Sequence, residues 1–295
     1  MNALFRHLVL IAPLLAALPA AAQERCAPLS SLPLRHQDGK LLVEVEVNNR
    51  PATFLLDTGG VTSVIATRLA ARLNLPTRVN HARVDVRDAG GARAERYVTI
   101  RNVTLGTRRI RPRNYIVAAL RDGVDGLLAP DLLRDLDLDL DVAGQRLDLY
   151  AAGACAGRPP GRGVFSSAAM LDGGWARRIQ VEAMLDGRTL WATVDTGARQ
   201  SYVAASAVQA LGISPAQTPG MARGIFGGEV AVTPHDFTTL KLGEMVWENP
   251  RLHLASPEDG FDGAPLLLGL QQLQGLRLFV AYSEQKLYIS RTPQS

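Results

Sequence analysis

Apolar and polar residues alternate with a period of two through much of this chain. Val43, Val45 and Val47 interleave with Glu44 and Glu46, and Val181, Ala183 and Leu185 repeat the spacing more loosely. That period predicts strands with one buried face. Each run meets a turn pair, Asn48-Asn49 and Asp186-Gly187, of residue types that tolerate positive φ. A second strand follows each turn, Ala52–Leu56 and Trp191–Val194. Beyond a short loop, Leu69 and Leu73 in the first half, and Val208 and Leu211 in the second, have helical spacing. These helices are predicted to stop at Asn74 and Gly212, the residue types best suited to a left-handed C′ position. The chain thus reads as two copies of one unit: strand, turn, strand, loop, short helix, stop.

The later parts of the copies also match. Asp88-Ala89-Gly90-Gly91, inside Ala82–Val98, and Gly224-Ile225-Phe226-Gly227-Gly228 are predicted to tip hairpins. Such hairpins serve either as flaps over a cleft or as ordinary exposed turns. Each is followed by a short strand ending in Leu105-Gly106 or Leu242-Gly243. Asp125-Gly126 and Asp262-Gly263 then open apolar runs, and each copy closes with a hairpin, over 136–150 and 276–290. In the first of these, Asp135, Asp137, Asp139 and Asp141 alternate with leucines and are expected on the wet face of a strand. A calcium loop would need glycine where Val142 stands.

Residues 1–22 read as an export signal. Arg6 and His7 precede the apolar stretch Leu8–Leu18, and Ala20-Ala21-Ala22 supply small residues before a cleavage point near Gln23. Left uncleaved, the same stretch would be an N-terminal anchor. The first unit spans 23–153, a linker rich in Ala, Gly and Pro spans 154–165, and the second unit spans 166–295. A periplasmic or secreted location is expected. The two cysteines, Cys26 and Cys155, allow one intramolecular pair in an oxidising compartment. A disulfide closing that long loop would add about 4–5 kcal/mol on the chain-entropy model.

Composition is globular, with 47% apolar and 20% charged residues and a formal charge of +4. The cluster Arg108, Arg109, Arg111 and Arg113 reads as a solvated loop, and no nucleic-acid module is recognisable. The five histidines are scattered without a zinc pattern, and no nucleophile elbow is present. No metal or cofactor is expected.

The chemistry concentrates in a triplet that occurs twice. Asp57-Thr58-Gly59 ends the run 52–56, and Asp195-Thr196-Gly197 ends the run 191–194. A carboxylate at the end of an apolar strand is costly to bury alone. Two of them, each followed by the same threonine and glycine, suggest one device assembled from two halves.

With Asp57-Thr58-Gly59-Gly60, Asp195-Thr196-Gly197-Ala198, the glycine-rich hairpins and the late Leu267-Leu268-Gly269-Leu270, the chain resembles the aspartic proteases. The resemblance is to the pepsin and retropepsin clan, in particular to bacterial retropepsin-like exported proteins, and covers nearly all of 40–290. It implies an all-β, two-lobed fold with pseudo-two-fold symmetry and short helices after each triplet loop. It implies a catalytic pair, Asp57 and Asp195, supported by Thr58, Gly59, Thr196 and Gly197. Gly90, Gly91, Phe226, Gly227 and Gly228 would belong to substrate-binding flaps. The partner would be a peptide or protein substrate, with no membrane contact after signal cleavage. Both aspartates in one chain imply a monomer. Two positions depart from the family pattern. Ala129 stands where the first late glycine is expected, and the first flap lacks a tyrosine near its tip. They motivate an alternative: a catalytically silent or single-client protein that binds extended peptides in the envelope.

Overall fold

The computed structural model describes residues 26–79, 86–88, 91–121, 123–161, 163–172, 178–214, 218–256 and 264–292. The export signal, the first-hairpin residues 80–85, 89 and Gly90, and the pair Asp262-Gly263 lie outside the described residues.

The fold is mostly β, as the alternation predicts. Strand Lys40–Val47 pairs antiparallel with Arg50–Leu56, and Gln180–Leu185 pairs with Arg188–Val194 in the same way. Asn48 and Asn49 have φ of 51° and 61°, and Asp186 and Gly187 have 46° and 79°, so both turns take the left-handed geometry their residues favour. The short helices after the triplet loops are Thr67–Arg72 and Ala205–Ala210, each followed by a left-handed residue, Asn74 (φ 50°) and Gly212 (φ +67°).

Each unit then threads a strand beside the triplet. Gly126–Leu128 runs parallel to Arg50–Leu56 and antiparallel to Val64–Ala66. Leu266–Leu268 does the same with Arg188–Val194 and Tyr202–Ala204. The backbone N–H of Asp57 donates to Leu128 O, and that of Asp195 to Leu268 O, both at 2.9 Å. The late strand thereby pins the start of each triplet loop.

The lobes are joined at their base. Leu136–Asp141 pairs with Arg146–Ala151 on one side and with Leu276–Ala281, the final hairpin of the second lobe, on the other. Ser30–Gln37 extends this layer beyond Arg146–Ala151, and Ser166–Ala169 extends it beyond Lys286–Arg291. The strand 136–141 is therefore buried, and the expectation of a wet aspartate face is wrong. Asp137 accepts hydrogen bonds from Gly153 N, Ser283 N and Ser283 Oγ. Asp139 accepts two from Arg277, with Nε at 2.8 Å. Asp141 accepts from Gly144 N and Thr292 Oγ1. Buried carboxylates need such partners. The joint supplies them, and alternation within one strand cannot reveal it.

Cys26 and Cys155 form a disulfide across this base. No helix among the described residues is long and apolar enough to cross a membrane.

Candidate active site

The two triplet loops meet tip to tip. Thr58 Oγ1 donates to Val194 O (2.7 Å) and accepts from Thr196 N (3.0 Å). Thr196 Oγ1 donates to Leu56 O (2.6 Å) and accepts from Thr58 N (3.2 Å). Each threonine reaches the main chain just before the opposite aspartate. Both are buried, so these bonds form away from competing water.

The glycines let the carboxyl groups approach. A Cβ on Gly59 would lie 2.3 Å from Asp195 Cγ, and one on Gly197 would lie 2.5 Å from Asp57 Oδ1. Any side chain there would strike the carboxyl group of the opposite lobe. The same Cβ on Gly197 would lie 3.1 Å from Asp195 Oδ1, so the two carboxyl groups face each other there. Asp195 also accepts from Gly197 N (2.7 Å) and Ala198 N (3.2 Å) through Oδ1.

Their environments separate their acidities. Burial, then the charge of Asp195, then the shared hydrogen bond push Asp57 up to about 8, while Gly60 N–H and Arg178 pull the other way. Burial raises Asp195 too, but Gly197 N–H, the bond from Asp57, Ala198 N–H and Arg178 all favour its ionised form. Two carboxyl groups this close hold one proton between them. The amides that donate to Asp195 Oδ1 favour its ionised form, which directs the shared proton toward Asp57.

Behind each loop a serine acts as a bolt. Ser63 Oγ donates to Asp131 Oδ1 (2.7 Å) and accepts from Ala129 N (3.0 Å). Ser201 Oγ donates to Gln272 Oε1 and accepts from Gly269 N (2.9 Å). The sequence suggests helix caps for both serines, because serine commonly caps. The helices instead start after Ala66 and Ala204, with no side-chain cap.

Arg178 is a residue the sequence reading missed. Val194 N donates to Ile179 O, which continues the register of the second hairpin and sets Arg178 opposite Asp195. The same count sets Lys40 opposite Asp57. Arg178 is buried, and its field reaches both aspartates. Counting backward across the Asp186-Gly187 turn would have found it.

The glycine-rich segments also meet. Gly91 N donates to Asp88 O, and Gly227 N to Gly224 O, closing matching turns. Phe226 and Ile225 pack on an apolar patch of the first lobe that includes Val86, Leu55 and Leu127. Gly228 N and Phe226 N donate to the Asp88 carboxylate.

The fold is two-lobed, with the two triplet loops bringing Asp57 and Asp195 together where the lobes meet, an arrangement of aspartic-protease type. The aspartyl protease family profile matches residues 43–132 and 181–271, one segment per lobe, and the chain belongs to that family. Among solved structures it is similar to an aspartic proteinase from Irpex lacteus, at 15% identity and a TM-score of 0.56, covering 89% of this chain and 97% of that one. That likeness shows the two-lobed fold. No curated protein sequence matches the chain.

Proposed function

We propose that this protein is an exported aspartic endopeptidase that hydrolyses peptide bonds through Asp57, Asp195 and an activated water. The observation that carries the reading is the carboxyl pair, Asp195 buried and Asp57 half-buried, brought together by reciprocal threonine bonds across the lobes. Ionised Asp195 takes a proton from a water poised between the carboxyl groups. Protonated Asp57 donates to the carbonyl oxygen of the scissile bond, and the water oxygen attacks the carbonyl carbon. Collapse of the tetrahedral intermediate expels the amine, which takes up the proton now on Asp195, while a gem-diol hydroxyl returns its proton to Asp57, so the pair again holds one proton. A peptide would lie extended beneath the hairpins. The Cys26–Cys155 bond accords with an oxidising location outside the cytoplasm. The chain would act as a monomer, since it supplies both carboxyl groups.

The silent or single-client alternative rests on Ala129 and on the missing flap tyrosine. The first of these loses weight: Ala129 Cβ faces Gly60, where a methyl has room.

The test is cleavage of a mixed peptide library by the chain from Gln23 onward, scanned from acid to neutral pH. Asp57→Asn is run beside it, with and without a statine-type transition-state analogue. Cleavage that vanishes in the variant and with the analogue is the expected result. A folded protein that cleaves nothing, or an Asp57→Asn variant that still cleaves, overturns the reading.

A further inference from the structure

The arginines that the sequence presents as a solvated loop lie on the edge of a sheet. Strand Arg108–Ile110 pairs antiparallel with Val103–Leu105, which pairs with Lys40–Val47. Its other side is unpaired among the described residues, so that edge offers free main-chain groups. Ile100 pairs with Arg113, so Arg101 and Arg111 leave the same end of that pairing. Residues 101–113 hold five arginines and no acidic residue. Arg113 is held by Asp131 at 2.9 Å. Arg101, Arg108, Arg109 and Arg111 meet no carboxylate among the described residues, and Arg108 Nε is buried without a hydrogen-bond partner. Elsewhere Arg72, Arg146, Arg223, Arg251 and Arg277 each reach a carboxylate. The second lobe is an internal control. Its strands Thr239–Leu242 and Met245–Glu248 share the register, with Leu242 opposite Met245 as Leu105 is opposite Arg108. Where the first lobe has Arg101, Arg108, Arg109 and Arg111, the second has Thr238, Met245, Val246 and Glu248. Met245–Glu248 is an edge strand too. Neither the hairpin nor the protection of a sheet edge therefore requires these charges.

We propose that this edge is a docking site, outside the cleft, for an acidic, extended segment of a protein partner. Arg108 and Arg109 are neighbours on one strand, so their side chains leave opposite faces of the sheet. A segment added along the edge meets both, whereas a flat anionic surface meets one. The segment's backbone continues the ladder, and its carboxylates pair with the guanidinium groups. Glu46 stands opposite Thr104, which stands opposite Arg109, so its carboxylate is two strand spacings away, about 10 Å, and leaves the arginine free for a partner. The site is remote from the carboxyl pair. Val47 pairs with both Val103 and Arg50, and the strand from Arg50 to Asp57 alone spans roughly 20 Å. Docking here is a property of the free protein and stands whether or not it cleaves peptides.

The experiment titrates the disulfide-bonded protein with a labelled peptide of glutamate and threonine, about ten residues long so that it can lie along the edge. Binding is read by fluorescence anisotropy and by amide hydrogen exchange over residues 103–113. The combined variant Arg108→Met, Arg109→Val, Arg111→Glu carries the residues that the second lobe uses at the same places. It should weaken binding roughly tenfold or more. Arg188→Gln removes an exposed arginine of the second lobe and should leave binding unchanged. Bound peptide should slow exchange at Arg109, and added salt should weaken binding. Equal binding by wild type and the combined variant, an equal loss in Arg188→Gln, or binding without protection at Arg109 overturns the proposal. If the combined variant loses protection at Val47 and Val103 and so has not folded, Arg101→Gln with Arg109→Gln removes two exposed charges instead. That pair should weaken binding roughly threefold, and no change overturns the proposal equally. Anionic phospholipid vesicles are the last arm. Vesicle binding that the combined variant loses, with no binding of the peptide, assigns the edge to a membrane surface and overturns the proposal.

Discussion

In the proposed mechanism a single proton divides the labour between two chemically identical residues. The ordinary value for an aspartate is 3.8, and Asp57 is pushed up to about 8. Activity that needs Asp57 protonated should therefore persist to neutral pH and fall through an alkaline limb near 8, read from kcat/KM against pH. Stability follows with a definite sign. The folded state keeps a proton that the unfolded chain has already released. Between about 4 and 8 it therefore binds more protons, and stability falls as pH rises through that window. Asp57→Asn removes this linkage. Its Tm should exceed that of wild type at pH 7 and vary less with pH, while cleavage is lost; a lower Tm with unchanged slope would contradict the assignment. Arg178 is argued from the same electrostatics. It favours ionisation of both aspartates, so Arg178→Gln should move both limbs of the pH profile upward. A residue that only packs would change Tm and leave the limbs in place.

At the scale of the element, the two triplet loops solve one packing problem in complementary ways. The first lobe has Gly60 facing Ala129, with a Cβ on Gly60 lying 3.3 Å from Ala129 Cβ. The second has Ala198 and Gly269, where a Cβ on Gly269 would lie 2.2 Å from Gln200 O and 2.8 Å from Ala198 O. One methyl is accommodated per lobe, on opposite sides of the contact. Gly269→Ala meets backbone that cannot swing aside and should cost about 1–3 kcal/mol in urea unfolding, with loss of activity. Ala129→Gly should cost no more than about 1 kcal/mol. Comparable losses in the two variants would refute the complementarity. Much of this element architecture was readable from sequence, because its signals are local. Asn48-Asn49, Asp186-Gly187, Asn74 and Gly212 announce their own backbone geometry. The roles of Ser63 and Ser201 were not readable. A serine before a helix looks like a cap until the late strand arrives to take its hydroxyl. Asp88 was hidden for a similar reason: its partners lie in the other hairpin, and its own neighbourhood reads only as a turn.

At the scale of the molecule, the joint between the lobes shows what burial does to charge. Asp139 and Arg277 bond across the two final hairpins, and their side chains are 1% and 15% exposed. Arg277 is held more firmly in its cationic form by Asp139. Asp139 nevertheless lies above the ordinary carboxylate range, because burial outweighs the arginine's attraction. The pair thus contributes little net stability as an ion pair, which is the usual balance for buried charges. Removing one partner is a different matter. Arg277→Met would leave Asp139 buried without its guanidinium and should cost about 3–5 kcal/mol. The double variant Arg277→Met with Asp139→Leu removes both charges and should recover most of that loss, a coupling read directly from a double-mutant cycle in urea. If the double variant remains as unstable as the single one, the bidentate bond stabilises the joint in its own right. If it recovers stability but the lobes exchange faster at Leu138 and Leu278, then the charges fix the register of the two hairpins rather than the strength of their union. The Cys26–Cys155 bond closes the same base from outside the sheet, so the cycle is best measured in the oxidised protein.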